Sequence, residues 1–410
     1  DPIPTFDLAA IDRELARRSL IEFVRQAWHT LEPPSRPFIE NWHIGAVTEH
    51  LQAVTDGQIR NLLITIPPGM AKSWLVNVAW PAWEWGPQER PWTRWLCASY
   101  SAELATRDAR RCRVLMESQW YQRNWGKVFS FASDQNQKSR YENDKSGYRI
   151  ATGITGLGTG ERADRICFDD PHNVRQSLSA VQRLDALVWW DETASTRPVD
   201  PAKSAFVGIM QRLAEEDLAG HWLAEGDVTH LMLPMEFEPE RRCFTTVRPK
   251  DYRGPQAASY CWDPRTEDGE LMFPARFPAD ALAPMKKRLG VFGVAGQFQQ
   301  RPAPRGGGMF DVHCIEIVDA VPAIRRRVRF WDLAGTKLQI GNDPAYTAGV
   351  LVSVDADDFY YIEDVVRFRD TPTKVEQRIR GVASQDGARV RIGIPKDPGQ
   401  AGVMQSEYLS

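Results

Sequence analysis

No Cys-x-x-Cys pair, no long apolar run, no large excess of either charge and no repeat or low-complexity tract occurs in these 410 residues. The six cysteines (Cys97, Cys112, Cys167, Cys243, Cys261, Cys314) are scattered, which argues against a disulfide framework and for a reduced compartment. His230, Cys243 and Cys261 match no usual zinc spacing. Without a stretch of membrane-spanning length, no membrane partner is expected. The start at Asp1 carries no signal-peptide pattern, and an opening residue other than Met fits a trimmed chain. A net charge of −3 gives no bulk attraction to nucleic acid, so any such surface must be a local basic patch.

What is present is an ordinary globular composition on a chain long enough for two domains. Leu8, Ile11, Leu15, Phe23, Val24 and Trp28 recur at helical spacing, and a second amphipathic stretch covers 38–54. We therefore expect a helical lead-in over 1–58. Apolar runs at 62–66, 93–98, 165–168, 205–210 and 228–233 alternate with helical patterns such as 102–116 and 178–194. Continuous rather than alternating hydrophobicity predicts strands buried on both faces of a mostly parallel α/β sheet. The Pro- and Gly-rich stretch near 299–308 breaks this texture. It predicts a first domain over 1–300, a linker over 301–312 and a second domain over 313–410. In the latter, strands at 328–333, 346–354 and 359–366 precede a helix at 372–384 and a strand at 390–394. That order predicts a meander plus a crossover in a mixed sheet.

The run 61–74 has the layout of a phosphate-binding loop: a buried strand, a Pro67-Pro68-Gly69 break, then Lys72-Ser73 opening a helix. Lys72 would reach the terminal phosphates of ATP and Ser73 would ligate Mg²⁺. Pro68, Gly69, Met70 and Ala71 complete the loop, yet Ile66 and Ala71 stand where signature glycines are expected. A partner strand ends in Asp169-Asp170. The first acid would hold Mg²⁺ and the second would orient or deprotonate the attacking water, a place where many such enzymes carry Glu. The bland reading is a strand cap and turn. The segment 152–162 holds four glycines and ends at Arg162, a candidate arginine finger for its own or a neighbour's γ-phosphate, or else an exposed loop residue. Gln211 and Arg212, at the tip of the 205–210 strand, are candidates for sensing hydrolysis, while Glu215 to Asp217 are candidates to cap the next helix.

Taken together, Pro67–Ser73, the Gly-rich 153–162, Asp169-Asp170-Pro171-His172-Asn173 and Gln211-Arg212 with 216–220 resemble the large terminase subunit of tailed bacteriophages. The likeness extends from about residue 38 to the chain end. That family's loop is often glycine-poor and starts with two prolines. It commonly has Gly before the Lys, where this chain has Ala71, and many members have Arg where Gly69 stands. That departure shifts the finger role toward Arg162. The resemblance also places Trp42 and His43 near the adenine.

In the second domain, an RNase H-like nuclease needs acids from separate strands around two metal ions about 3.5–4 Å apart. With the first strand beside the fourth, Asp332 and Asp397 would meet. Asp343 is an outer ligand or a turn former, and Glu363 and Asp364 read as a solvated face. The segment Trp331-Asp332-Leu333-Ala334-Gly335 with Pro395–Gly399 resembles the terminase nuclease. The family's third metal-binding acid would lie past Ser410, so the domain is expected to be incomplete and to hold Mg²⁺ or Mn²⁺ weakly. The runs 325–329 and 286–288 are DNA contacts or solvated edges.

The resemblance implies an ATP-driven packaging motor with an endonuclease that cuts concatemeric DNA. It further implies duplex DNA, a portal protein, a small terminase subunit and self-assembly into a ring on the portal as partners. The expected location is the bacterial host cytoplasm, transiently at the procapsid portal. A helicase-like or remodelling ATPase with a non-cleaving second domain is one alternative. A nucleotide-dead docking protein is another.

Overall fold

The lead-in forms three helices, α1 (Leu8–Arg18), α2 (Leu20–Ala27) and α3 (Trp42–Thr55). The computed structural model describes residues 7–132, 137–156, 160–174, 177, 179–247, 259–261, 263–303, 315–334 and 346–394. The chain divides into two compact units at Gly306/Gly307. Among the described residues no helix is long and apolar enough to cross a membrane.

Seven strands build the sheet of the first unit: β1 (Asn61–Thr65), β2 (Trp95–Ser99), β3 (Arg140–Glu142), β4 (Tyr148–Gly153), β5 (Arg165–Asp169), β6 (Ala205–Met210) and β7 (Thr229–Met232). Their order is β3-β4-β2-β5-β6-β1-β7. Every neighbouring pair is parallel except β3 with β4. The five apolar runs singled out in the sequence are β1, β2, β5, β6 and β7. The polar strands β3 and β4 carry no such run and were not anticipated. A hairpin of β8 (Phe244–Thr246) with β9 (Ser259–Cys261) was likewise not anticipated.

Between the strands run α4 (Lys72–Trp74), α5 (Trp80–Trp85), α6 (Ala102–Glu117), α7 (Gln119–Trp125), α8 (Ala180–Val188) and α9 (Leu218–Glu225). The helix α10 (Ala279–Gly293) follows β9. A π turn over Leu75–Ala79 joins α4 to α5. The helix expected over 178–194 is shorter, because a π turn over Trp189–Thr193 takes its second half.

Tryptophan explains how these layers close. Trp80, Trp83, Trp85 and Trp95 are all fully buried, and each of the first three finds a partner for its indole N–H. Trp80 donates to Thr55 Oγ1 at 2.8 Å, Trp83 to the Ala16 carbonyl at 2.7 Å and Trp85 to the Thr93 carbonyl at 3.0 Å. These bonds tie α5 to α3, α1 and the approach to β2 while large rings fill the core. Beneath them Arg165 pairs with the fully buried Glu84 at 2.9 Å, and Thr55 donates to the same carboxylate. Leu63, Phe168, Trp189, Trp190 and Trp222 form a second cluster. There Gly208 is required: a Cβ would stand 2.2 Å from the Phe168 ring.

The second unit contains β10 (Ile324–Asp332), β11 (Thr347–Asp355), β12 (Tyr360–Phe368), α11 (Pro372–Asp386) and β13 (Val390–Gly393). Strand order is β12-β11-β10-β13, with β13 parallel to β10 and the other pairs antiparallel. The first strand thus lies between the second and the fourth. Trp331, Phe368, Val375 and Ile379 form its small core against α11. On the opposite face Phe330 and Ile362 stay exposed. Strand β10 starts earlier than the sequence suggested and absorbs the basic run 325–329. Arg325 pairs with Asp358, Arg327 with Glu363, and Arg329 with both Asp364 and Asp386. Glu363 and Asp364, read as a solvated face, are ion-pair partners.

Candidate active site

The phosphate-type loop leaves β1 at the carboxyl edge of the parallel sheet, where the tip of β5 also ends. Gly69 has φ +82° and Ala71 φ 58°, both left-handed. At Gly69 glycine is favoured, since a Cβ would meet the Phe277 ring at 2.7 Å. A basic side chain there would be strained by the positive φ and would have to displace the Phe277 ring. Ala71 adopts the conformation a glycine would take freely, at a cost of about 1 kcal/mol. The helix that follows begins at Lys72.

Lys72 is buried and its Nζ lies 2.6 Å from Asp170 Oδ1. The same oxygen accepts the Gln211 backbone N–H at 3.0 Å. Asp169 Oδ2 accepts a hydrogen bond from Asn77 at 3.1 Å, while Oδ1 is buried without a partner. Burial, then the neighbouring Asp170 charge, pushes the Asp169 carboxyl up to about 7, against the opposing pull of Lys72 and the Ser73 hydroxyl. A bare buried oxygen beside a serine hydroxyl suits a hard cation, and Mg²⁺ takes oxygen donors of this kind. The residues present fit that ion.

Two hollows open here. A groove of about 770 Å³ runs past Pro68, Gly69 and Lys72 to Trp28, Pro37 and Ile39. A second, of about 320 Å³, is lined by Ser99, Asp108, Asp169, His172, Asn173 and Gln211. Burial lowers the His172 pKa, and its Nε2 accepts the Leu218 N–H.

The other expected residues fall in different places. His43 is buried beneath the loop, lining a small cavity with Met70 and Phe273. Trp42 lines neither hollow; the Arg265 guanidinium sits 5.3 Å over its ring. Gln211 reaches the second hollow, and its buried Oε1 has no partner. Arg212 is fixed on the fully buried Asp217 at 2.9 Å, and Asp217 caps α9 through the Gly220 N–H. His230, weighed for zinc, is engaged with Thr65 Oγ1. Asp332 is exposed, in register with Ala348. Asp397 and Asp343 lie outside the described residues.

Arg162 needs a correction as a finger for its own site. It precedes β5, whereas Asp169 is the last of that strand's five residues, which extend about 13 Å from first to last. Its guanidinium donates to the Pro198 carbonyl, and its own carbonyl accepts from Tyr148. It lies at the amino end of β5, away from the strand tip that carries Asp169.

The sequence reading missed Asn77, Arg107 and Arg111. Asn77 follows Lys72 on the same helical run. Arg107 and Arg111, one turn apart on α6, face the groove because β2 lies beside β5, with Ser99 opposite Asp169.

The structure is similar to that of the large terminase of bacteriophage HK97. The two are 15% identical, with 96% of this chain and 77% of that chain covered, at a TM-score of 0.40. No protein-family model and no curated protein matches the chain. A likeness of that degree says nothing of individual residues.

Proposed function

We propose that this chain is the ATP-hydrolysing subunit of a viral DNA-packaging motor of the large-terminase kind, with a metal-dependent endonuclease in its second unit. The observation that carries the ATPase reading is the cluster at the loop. Lys72 is bonded to Asp170, and beside it the buried Asp169, within the influence of the Ser73 hydroxyl, keeps one oxygen without a partner. Mg²⁺ held by Ser73 and Asp169 would draw charge from the β- and γ-phosphates. Lys72 exchanges Asp170 for phosphate when nucleotide enters. Asp170, released but still held by the Gln211 N–H, then orients the attacking water and takes its proton. The left-handed turn at Ala71 favours a working loop over a nucleotide-dead one.

The motor assignment extends this reading to duplex DNA as the moved substrate, with a portal, a small terminase subunit and a ring of copies as partners. Concatemer cutting in the RNase H-like second unit rests on Asp332 and Asp397 around Mg²⁺ or Mn²⁺.

The test is ATP turnover of the wild type against Lys72→Ala and Asp170→Asn, with and without duplex DNA. Both variants are expected to lose at least about 10²-fold in kcat. A Lys72→Ala protein that keeps wild-type nucleotide binding and turnover overturns the ATPase reading. Plasmid nicking in Mn²⁺ by a chain extended past residue 410 that survives Asp332→Ala overturns the nuclease assignment, and absence of nicking even in that extended wild type favours the helicase-like alternative.

A further inference from the structure

The two hollows at the loop share three side chains: Ser73, Asp170 and Arg107. Ser73 and Asp170 already have places at the metal and at the water. The third is a cation, set where the phosphate groove passes into the acidic hollow. We infer that Arg107 is the arginine that meets the γ-phosphate of its own subunit. The inference rests on the ATPase reading above and identifies the charge that site still needs.

Arg36 and Arg276 line the outer groove alone, and the remaining candidates are occupied or displaced. Lys72 already has its place, leaving Asp170 for the phosphate when nucleotide enters. Arg111 is paired with Glu32, which lines the outer groove. Gly69 carries no side chain under Phe277, and Arg162 sits beyond the opposite end of β5. Arg107 has a grip it can release: its Nε and Nη2 bond the two Asp108 oxygens at 2.9 and 3.2 Å. Asp108 is buried, but the arginine side chain remains 54% exposed, so a swing toward the groove disturbs no core packing. In the reaction, the water oxygen bonds to the γ-phosphorus as the bond from that phosphorus to the bridging oxygen breaks. The water proton passes to Asp170, and ADP leaves with the bridging oxygen. Arg107 neutralises the γ-oxygens through this step, and loses its partner once phosphate departs.

Full-length Arg107→Ala and Arg107→Lys proteins test this, with Lys72→Ala alongside. Arg107→Ala is expected to lose about 10²-fold or more in turnover. ADP affinity should stay within about twofold, the ATP-to-ADP affinity ratio should fall, and trapping of ADP with aluminium fluoride should disappear. Arg107→Lys should recover part of the trapping. Wild-type turnover and trapping in Arg107→Ala, while Lys72→Ala is inactive, overturns the inference and leaves the ATPase reading standing. Wild-type rates in both variants overturn both. Mixing inactive Arg107→Ala with inactive Lys72→Ala should restore nothing; recovered activity would mean that Arg107 acts across subunits, against the inference.

Discussion

The two units bury their sheets differently. In the first, β1, β2, β5 and β6 are covered on both faces, so their inner residues are almost uniformly apolar and inaccessible. In the second, β11 alternates strictly between buried and half-buried positions, because α11 covers one face and the other stays open. A parallel sheet enclosed by helices can place polar groups only at strand ends, which is where Lys72, Asp169, Asp170 and Gln211 gather. The open sheet presents its acids along a face, where nothing concentrates their charge. The difference teaches where each kind of sheet can hold a deep polar site.

The comparison breaks if the two cores are not separate. Glu84→Ala leaves Arg165 as an unpaired buried charge and should cost the first unit about 3–5 kcal/mol. Trp331→Ala should cost the second unit a similar amount, about 3–5 kcal/mol, by opening its small core. Scanning calorimetry should show each variant lowering a different transition. A common shift would show that the units unfold as one.

A smaller effect sharpens the contrast through pH. Burial lowers the pKa of His43, His50 and His230 to about 4. The unfolded chain therefore binds more protons than the folded one between pH 6.5 and about 4, and stability falls as pH drops through that window. Each histidine contributes about 3 kcal/mol across it. The described part of the second unit contains no histidine. Urea unfolding at pH 7, 5.5 and 4.5 should show the first transition weakening well before the second.

The smallest expected effect concerns the loop. Ala71→Gly removes a left-handed alanine, and after the added freedom of the unfolded chain is subtracted the gain is at most about 1 kcal/mol. A loss of stability would mean that the Ala71 methyl contributes packing that outweighs its strain.

The buried strands were legible because a short, continuous apolar run suits little besides a strand covered on both faces. Strands β3 and β4 were not, since Arg140, Glu142 and Arg149 interrupt them. The Lys72-Ser73 and Asp169-Asp170 pairs were legible as local motifs. Arg107 was not, because only the neighbourhood of β2 and β5 brings α6 to the loop. Arg162 shows the reverse case. It stands close to Asp169 along the chain, and an extended strand carries it to the other edge. Trp42, which the resemblance puts on the adenine side, packs under Arg265 and lines neither hollow.

On the ATPase reading proposed above, the bond between Lys72 and Asp170 governs what the site does when it is empty. While no nucleotide is present, the group that would activate water and the cation that would receive phosphate silence each other. A stray water near Asp170 meets a carboxylate whose Oδ1 is already taken by Lys72 and the Gln211 N–H. On that reading nucleotide would first separate the pair, so part of its binding free energy would go into arming the site, and an empty subunit would wait disarmed until its fuel arrives.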